Sequence, residues 1–226
     1  MRLLLIRHGQ TPSNVRGALD TAPPGAGLTS LGQAQADAVP GALSGEDISA
    51  IHASTLVRTQ LTAAPLVSAR GLDLQVRQGL EEVPAGELEL RDDPDAVKAY
   101  AACVARWMTG DLGAALPGGS TGHDFYARYD DAVRAVAQDH GPDDTVAVFS
   151  HGAAIRAYTA LAVGLDPDVA TELRIMNTGM AALEGDPETG WRLTRWCTEP
   201  LGGAELADTR AHDVTGESAE EAVHER

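Results

Sequence analysis

Two stretches of this chain end in the same way. Leu3-Leu4-Leu5-Ile6 runs into Arg7-His8-Gly9, and Val146-Ala147-Val148-Phe149 runs into Ser150-His151-Gly152. Each is a short apolar run, suited to a buried strand, and each breaks off at His-Gly. In an open α/β sheet, ligands bind beyond the carboxyl ends of the strands. If these two strands are neighbours, both imidazoles meet in one pocket. The glycine after each histidine lets backbone approach a ligand closely. His8 and His151 are therefore the first candidates for chemistry.

The rest of the chain supplies the partners such a sheet needs. Residues 48–52 and 72–76 read as further strands, and 179–183 with 192–197 as a closing hairpin. Helices are expected over 31–43, 56–69, 94–108, 121–140 and 153–163, with Pro65 kinking the second or marking its boundary. Residues 14–27 hold Gly17, Pro23, Pro24, Gly25 and Gly27 and read as a loop. The order β-α-β-α-β, helices, β-α and a hairpin predicts a three-layer α/β/α sandwich with a mostly parallel sheet. One domain is expected over 1–198, with an insertion at about 81–125 covering one end of the sheet as a lid. Residues 199–226 are acidic with little to bury. They predict a disordered tail, and deletion after about Gly203 is expected to leave turnover nearly unchanged.

Composition narrows the function. Of 226 residues, 43% are hydrophobic but only 4% aromatic, so Ala, Leu and Val must build the core. Lys98 is the single lysine, a bias that suggests a GC-rich bacterial genome. The formal charge of −16 argues against nucleic acid and anionic membranes as partners. It also requires any phosphate site to be locally basic. No run approaches the roughly 20 apolar residues of a membrane helix, and the run at 3–6 is too short for a signal segment. A cytoplasmic location is the expectation. Cys103 and Cys197 have no metal-ligand spacing, and His52, His123, His140, His212 and His224 have none either.

Arg58 follows the second strand in Ser54-Thr55-Leu56-Val57-Arg58-Thr59, so a third strand end carries a possible phosphate fork. Together these residues form a recognisable set. Arg7-His8-Gly9-Gln10-Thr11 with Asn14 resembles the signature of the histidine phosphatase superfamily, in its phosphoglycerate mutase-like branch. The resemblance continues in Leu28-Thr29-Ser30-Leu31-Gly32, in Ser54 to Ala63, in Leu80-Glu81-Glu82-Val83-Pro84-Ala85-Gly86-Glu87 and in Ser150-His151-Gly152. It implies a phosphoglycerate mutase-like fold and a phosphohistidine on His8. By the same resemblance Arg7, Asn14, Arg58, His151 and Gly152 bind phosphate. Glu82, four residues before Gly86, protonates the leaving oxygen, with Glu81 as its solvated neighbour.

The chemistry suits these residue types. Two arginines and a protonated His151 would neutralise the phosphoryl oxygens. His8 must be neutral to attack, and a carbonyl accepting from its other nitrogen would fix the tautomer. Glu82 can give a proton only if burial raises its pKa. The side chains supply the cations, so neither metal nor cofactor is called for. Some residues depart from the family's pattern: Ser120 stands where an acid is common, and Leu88 replaces a tryptophan. In residues 87–125 acids outnumber bases seven to three, which disfavours a polyanionic glycerate. The expected activity is hydrolysis of a small phosphate monoester. A cofactor-dependent mutase, a phosphatase acting on phosphorylated proteins, and a phosphate-binding scaffold without turnover are the alternatives. A homo-oligomer stays open, because Ala- and Leu-rich faces do not distinguish core from interface.

Overall fold

The computed structural model describes residues 1–208 and 213–218. A six-stranded sheet runs through it in the order β3-β2-β4-β1-β5-β6. The strands are β1 (Arg2–Arg7), β2 (Ile48–Ala53), β3 (Leu74–Val76), β4 (Thr145–Ser150), β5 (Met180–Asp186) and β6 (Gly190–Cys197). The first four lie parallel to one another, and the β5–β6 hairpin adds an antiparallel edge beside β1. The sandwich with a mostly parallel sheet is thus the observed fold.

Alternation along the strands builds the layers, since successive side chains point to opposite faces. Leu3, Leu5, Val146 and Val148 face one helical layer. That layer is made by α4 (Pro94–Met108), α5 (Gly122–Gln138) and α6 (Gly152–Val163). Leu4, Ile6, Ala147 and Phe149 face the other layer, made by α2 (Ser30–Ala42) and α3 (Val57–Arg70). Pro65 lies inside α3, which runs on past it. Apart from Phe149, the scarce aromatics gather on the first face. Trp107 stacks on Phe125 at 5.6 Å, and Tyr129 meets Tyr158 at 4.8 Å between ring centroids.

Three expectations need correction. Two short helices were not foreseen: α1 (Pro12–Arg16), inside the expected loop, and α7 (Pro167–Glu172). Both start with Pro after a polar cap, Thr11 and Asp166, a start signal that five or six residues of weak periodicity do not reinforce. Secondly, the insertion is more than a cover. Its α4 packs on α6 and α7 and buries Val97, Tyr100, Val104 and Trp107 in the main core. Thirdly, the described parts of the tail are packed. Leu201 and Val214 are buried, the Gly216 carbonyl accepts from the Ile175 N–H, and Gln35 donates to the Leu206 carbonyl. Two apolar side chains and paired backbone suffice where charge alone suggested disorder. The remaining tail residues, 209–212 and 219–226, lie outside the described residues.

Candidate active site

Sheet register creates the site. Arg7 pairs with Ser150 across β1 and β4, so the next residues, His8 and His151, emerge side by side. Their rings are 5.3 Å apart. The His8 N–H donates to the Ser150 carbonyl, and the Ser54 N–H to the Phe149 carbonyl. Three adjacent strand ends therefore meet at one point, and Arg58 joins them from the first turn of α3.

His8 is 2% exposed. Its Nδ1 donates to the Gly9 carbonyl at 2.8 Å, which leaves Nε2 as the lone-pair nitrogen. Burial, then the charges of Arg58 and Arg7, hold its pKa well below the ordinary 6.5. The imidazole is neutral, as a nucleophile must be.

His151 behaves differently from the expectation. Burial and the nearby Arg58 push its pKa well below 6.5 too, so it is neutral rather than protonated in the free protein. Its Nε2 lies 2.7 Å from the Ser54 hydroxyl. With that hydroxyl donating, the ring proton sits on Nδ1, which is buried without a partner. Three more buried donor atoms around His8 have no hydrogen-bond partner: Nε of Arg7, and Nε and Nη1 of Arg58, the last lying 3.8 Å from Asp20 Oδ1. Buried donors are rarely left unpaired. Four of them on three residues form a ready cradle for an anion.

Glu82 is buried against the start of α6. Its carboxylate accepts from the N–H groups of Val83 at 2.9 Å, Ala154 at 2.8 Å and Ala153 at 3.2 Å. Burial raises its pKa above the ordinary 4.5, while those N–H donors and Arg58 hold the rise back. Glu81 is not simply solvated. It pairs with Arg128 at 3.0 Å and accepts from Thr55 at 2.7 Å.

Asn14 is present but otherwise engaged. Its Oδ1 accepts from the N–H and hydroxyl of Thr11, both at 2.9 Å, and its Nδ2 donates to Asp213. The two signature glycines answer to protein backbone. A methyl group on Gly9 would come within 2.5 Å of the Gly32 carbonyl oxygen, and one on Gly152 within 2.5 Å of the Thr215 carbonyl oxygen. Sequence reasoning missed Ser54 as the partner of His151, although Ser54 lies in a quoted motif at a strand end. It also missed Asn177, whose Nδ2 donates to the His8 carbonyl at 3.1 Å. No pattern in the sequence marks Asn177.

The profile of the histidine phosphatase superfamily, branch 1, matches residues 3–199. The chain belongs to this superfamily. This histidine phosphatase is 34% identical over 92% of its length to the PE-PGRS family protein PE_PGRS11 of Mycobacterium tuberculosis, of which it spans 38%. It is 26% identical to the probable phosphoglycerate mutase GpmB of Yersinia enterocolitica, covering 94% of this chain and 98% of that one. Among solved structures, a mycobacterial glucosyl-3-phosphoglycerate phosphatase complexed with VO3 superposes with a TM-score of 0.74. It is 27% identical, covering 88% and 99% of the two chains. A putative alpha-ribazole-5'-P phosphatase from Escherichia coli gives 0.70 at 25% identity, covering 90% and 98%. Among the described residues of this histidine phosphatase, no helix is long and apolar enough to cross a membrane. No group of three or more His, Cys, Asp or Glu side chains there could hold a metal ion.

Proposed function

We propose that this histidine phosphatase hydrolyses a small phosphate monoester through a phosphohistidine on His8, in the cytoplasm of a bacterium. The observation that carries the reading is the free Nε2 of a neutral His8 beside four buried donors without a hydrogen bond on Arg7, Arg58 and His151. His8 Nε2 attacks phosphorus as the ester P–O bond breaks. The departing oxygen takes the proton of Glu82, whose raised pKa favours the acid form. Water then attacks the phosphohistidine, Glu82 takes its proton back, and phosphate leaves. Arg7, Arg58 and His151 hold the phosphoryl oxygens throughout, with the α6 start at Gly152 beside them.

Glu82 also lines a cavity of about 390 Å³ with Thr21, Pro23, Glu89 and Arg128, which offers room for the alcohol part of the ester. Arg128 is its one cation among the described residues and is already paired with Glu81. A mutase must grip a second acidic group at this position, and the cavity offers three carboxyl groups against one guanidinium. The similarity to two phosphatases of known structure favours hydrolysis as well. The mutase-named relatives keep isomerisation as the second reading. Of the acids counted in residues 87–125, only Glu89 lines this cavity. The acidity of that segment therefore bears less on substrate choice than its sequence suggested.

Rapid quenching with a labelled ester tests the proposal. An acid-labile, base-stable phosphoenzyme is expected, and it is absent from His8→Ala. Normal turnover by folded His8→Ala would overturn it. Following 3-phosphoglycerate with catalytic 2,3-bisphosphoglycerate separates the two readings, and net phosphate release without isomerisation is expected.

A further inference from the structure

Arg7 is fully buried; apart from the Ile175 carbonyl, which accepts from Nη1 at 2.8 Å, its side-chain partners come from the far end of the chain. Asp213 grips both terminal nitrogens: Nη2 donates to Oδ1 and Nη1 lies against Oδ2, each at 2.5 Å. The same Oδ1 accepts from Asn14 Nδ2 at 2.9 Å. Thr215 Oγ1 accepts from Arg7 Nη2 at 2.9 Å, and Thr215 is among the residues lining the small cleft beside His8, Thr11, Asn14 and Arg58. Val214 between them is buried, and the N–H groups of Gly216 and Glu217 both donate to the Asp213 carbonyl. The fit depends on two missing side chains. Gly152 admits the Thr215 carbonyl, and a methyl group on Gly216 would come within 2.0 Å of Arg7 Nη1.

From this arrangement we propose that Asp213 and Thr215 are working parts of the phosphate pocket: Asp213 positions Arg7 and Asn14, and the Thr215 hydroxyl forms part of the pocket wall beside the phosphoryl group. The inference rests on the phosphatase reading. A carboxylate on a phosphate-binding arginine could instead be a plug that imitates phosphate. The unpaired donors decide against that. With the 213–218 strap in place, Arg7 Nε, Arg58 Nε and His151 Nδ1 still have no hydrogen-bond partner, and Arg58 Nη1 has none beyond an ion pair with Asp20 at 3.8 Å. A plug would take them. The strap takes only the terminal edge of the guanidinium and leaves Nε free. It fixes the orientation of a planar fork whose geometry matters for phosphate, as an outer partner fixes a ligand.

The test measures inhibition by inorganic phosphate and vanadate, with p-nitrophenyl phosphate as substrate. Asp213→Ala is expected to weaken both inhibitors by about 10- to 100-fold, the loss that outer-partner removal causes in metal sites. Asp213→Asn keeps an oxygen acceptor and is expected to recover part of that loss. Thr215→Val keeps the shape and loses the hydroxyl, so it is expected to weaken phosphate severalfold, with Thr215→Ser restoring it. Thermal unfolding of each variant monitors the fold separately. Inhibition constants unchanged in both Asp213→Ala and Thr215→Val, whatever happens to stability, would overturn the proposal. Tighter inhibition in Asp213→Ala would overturn it in favour of a plug. If the wild-type protein neither binds vanadate nor turns over, the phosphatase reading falls first. If it does both and the variants match it, only this inference falls.

Discussion

Burial drives His8 and Glu82 in opposite directions, and each direction suits the chemistry. The imidazole is kept neutral above a depressed pKa, and the carboxyl stays protonated below a raised one. Neutral His8 with protonated Glu82 is the form the mechanism needs, and activity should fall on the alkaline side as Glu82 ionises. Glu82→Gln is expected to lose about 10²–10⁴-fold on alkyl phosphates, as other general acids do. With p-nitrophenyl phosphate the loss should be far smaller, because that leaving group needs little protonation. The alkaline limb of the kcat/KM profile should vanish as well. Equal losses on the two substrates, or an unchanged limb, would assign Glu82 another role. Ser54 offers a second test at this scale. Ser54→Ala leaves His151 Nε2 buried without its partner at 2.7 Å and frees the ring to take the other tautomer. Phosphate affinity should weaken while the phosphohistidine still forms, which rapid quenching and product inhibition would separate.

The N-terminus of α6 gathers several parts of the site. Glu82 accepts from its first N–H groups, and Gly152 there makes room for Thr215. Gly152→Ala would force a methyl group onto the Thr215 carbonyl oxygen. Overpacking of this kind costs about 1–3 kcal/mol, and at this size each kcal/mol lowers Tm by about 2–4 °C. A fall of several degrees with weaker phosphate inhibition is expected, and wild-type values for both would show that the strap yields freely. This element also shows what the sequence made legible. Its apolar β4 approach and the His151-Gly152 break were plain, and register alone then brings His8 to it. The contact between Gly152 and Thr215 was not plain, because pattern reports one element at a time and the strap lies far along the chain. In sequence Asp213 is one acid of a stretch expected to be disordered, and only its place against Arg7 distinguishes it. The helices α1 and α7 were missed for a related reason: each is too short to show a period, so only its cap and proline speak for it.

At the scale of the molecule, three buried histidines among the described residues shape the response to acid. His8 and His151 have pKa values well below 6.5, and that of His52, desolvated and next to Arg77, is lowered to about 4. Unfolded, all three take up protons near 6.5; folded, they resist. Their contribution is complete above about pH 6.5 and is lost as pH falls toward the folded values. The net charge of −16 acts oppositely, since acid relieves its repulsion, but carboxylates titrate mostly below that window. Tm measured from pH 8 to pH 5 is expected to decline below about 6.5, and a flat or rising Tm would refute this. The sheet order carries one more consequence, for the time before any of this exists. Central β1 is made first, yet its neighbours β4 and β5 begin only at residues 145 and 180. During synthesis Leu3-Leu4-Leu5-Ile6 waits as an unpaired, wholly apolar strand with both edges open. Such long-range closure is slow and invites association with other chains, so this strand is where a chaperone would have the most to protect.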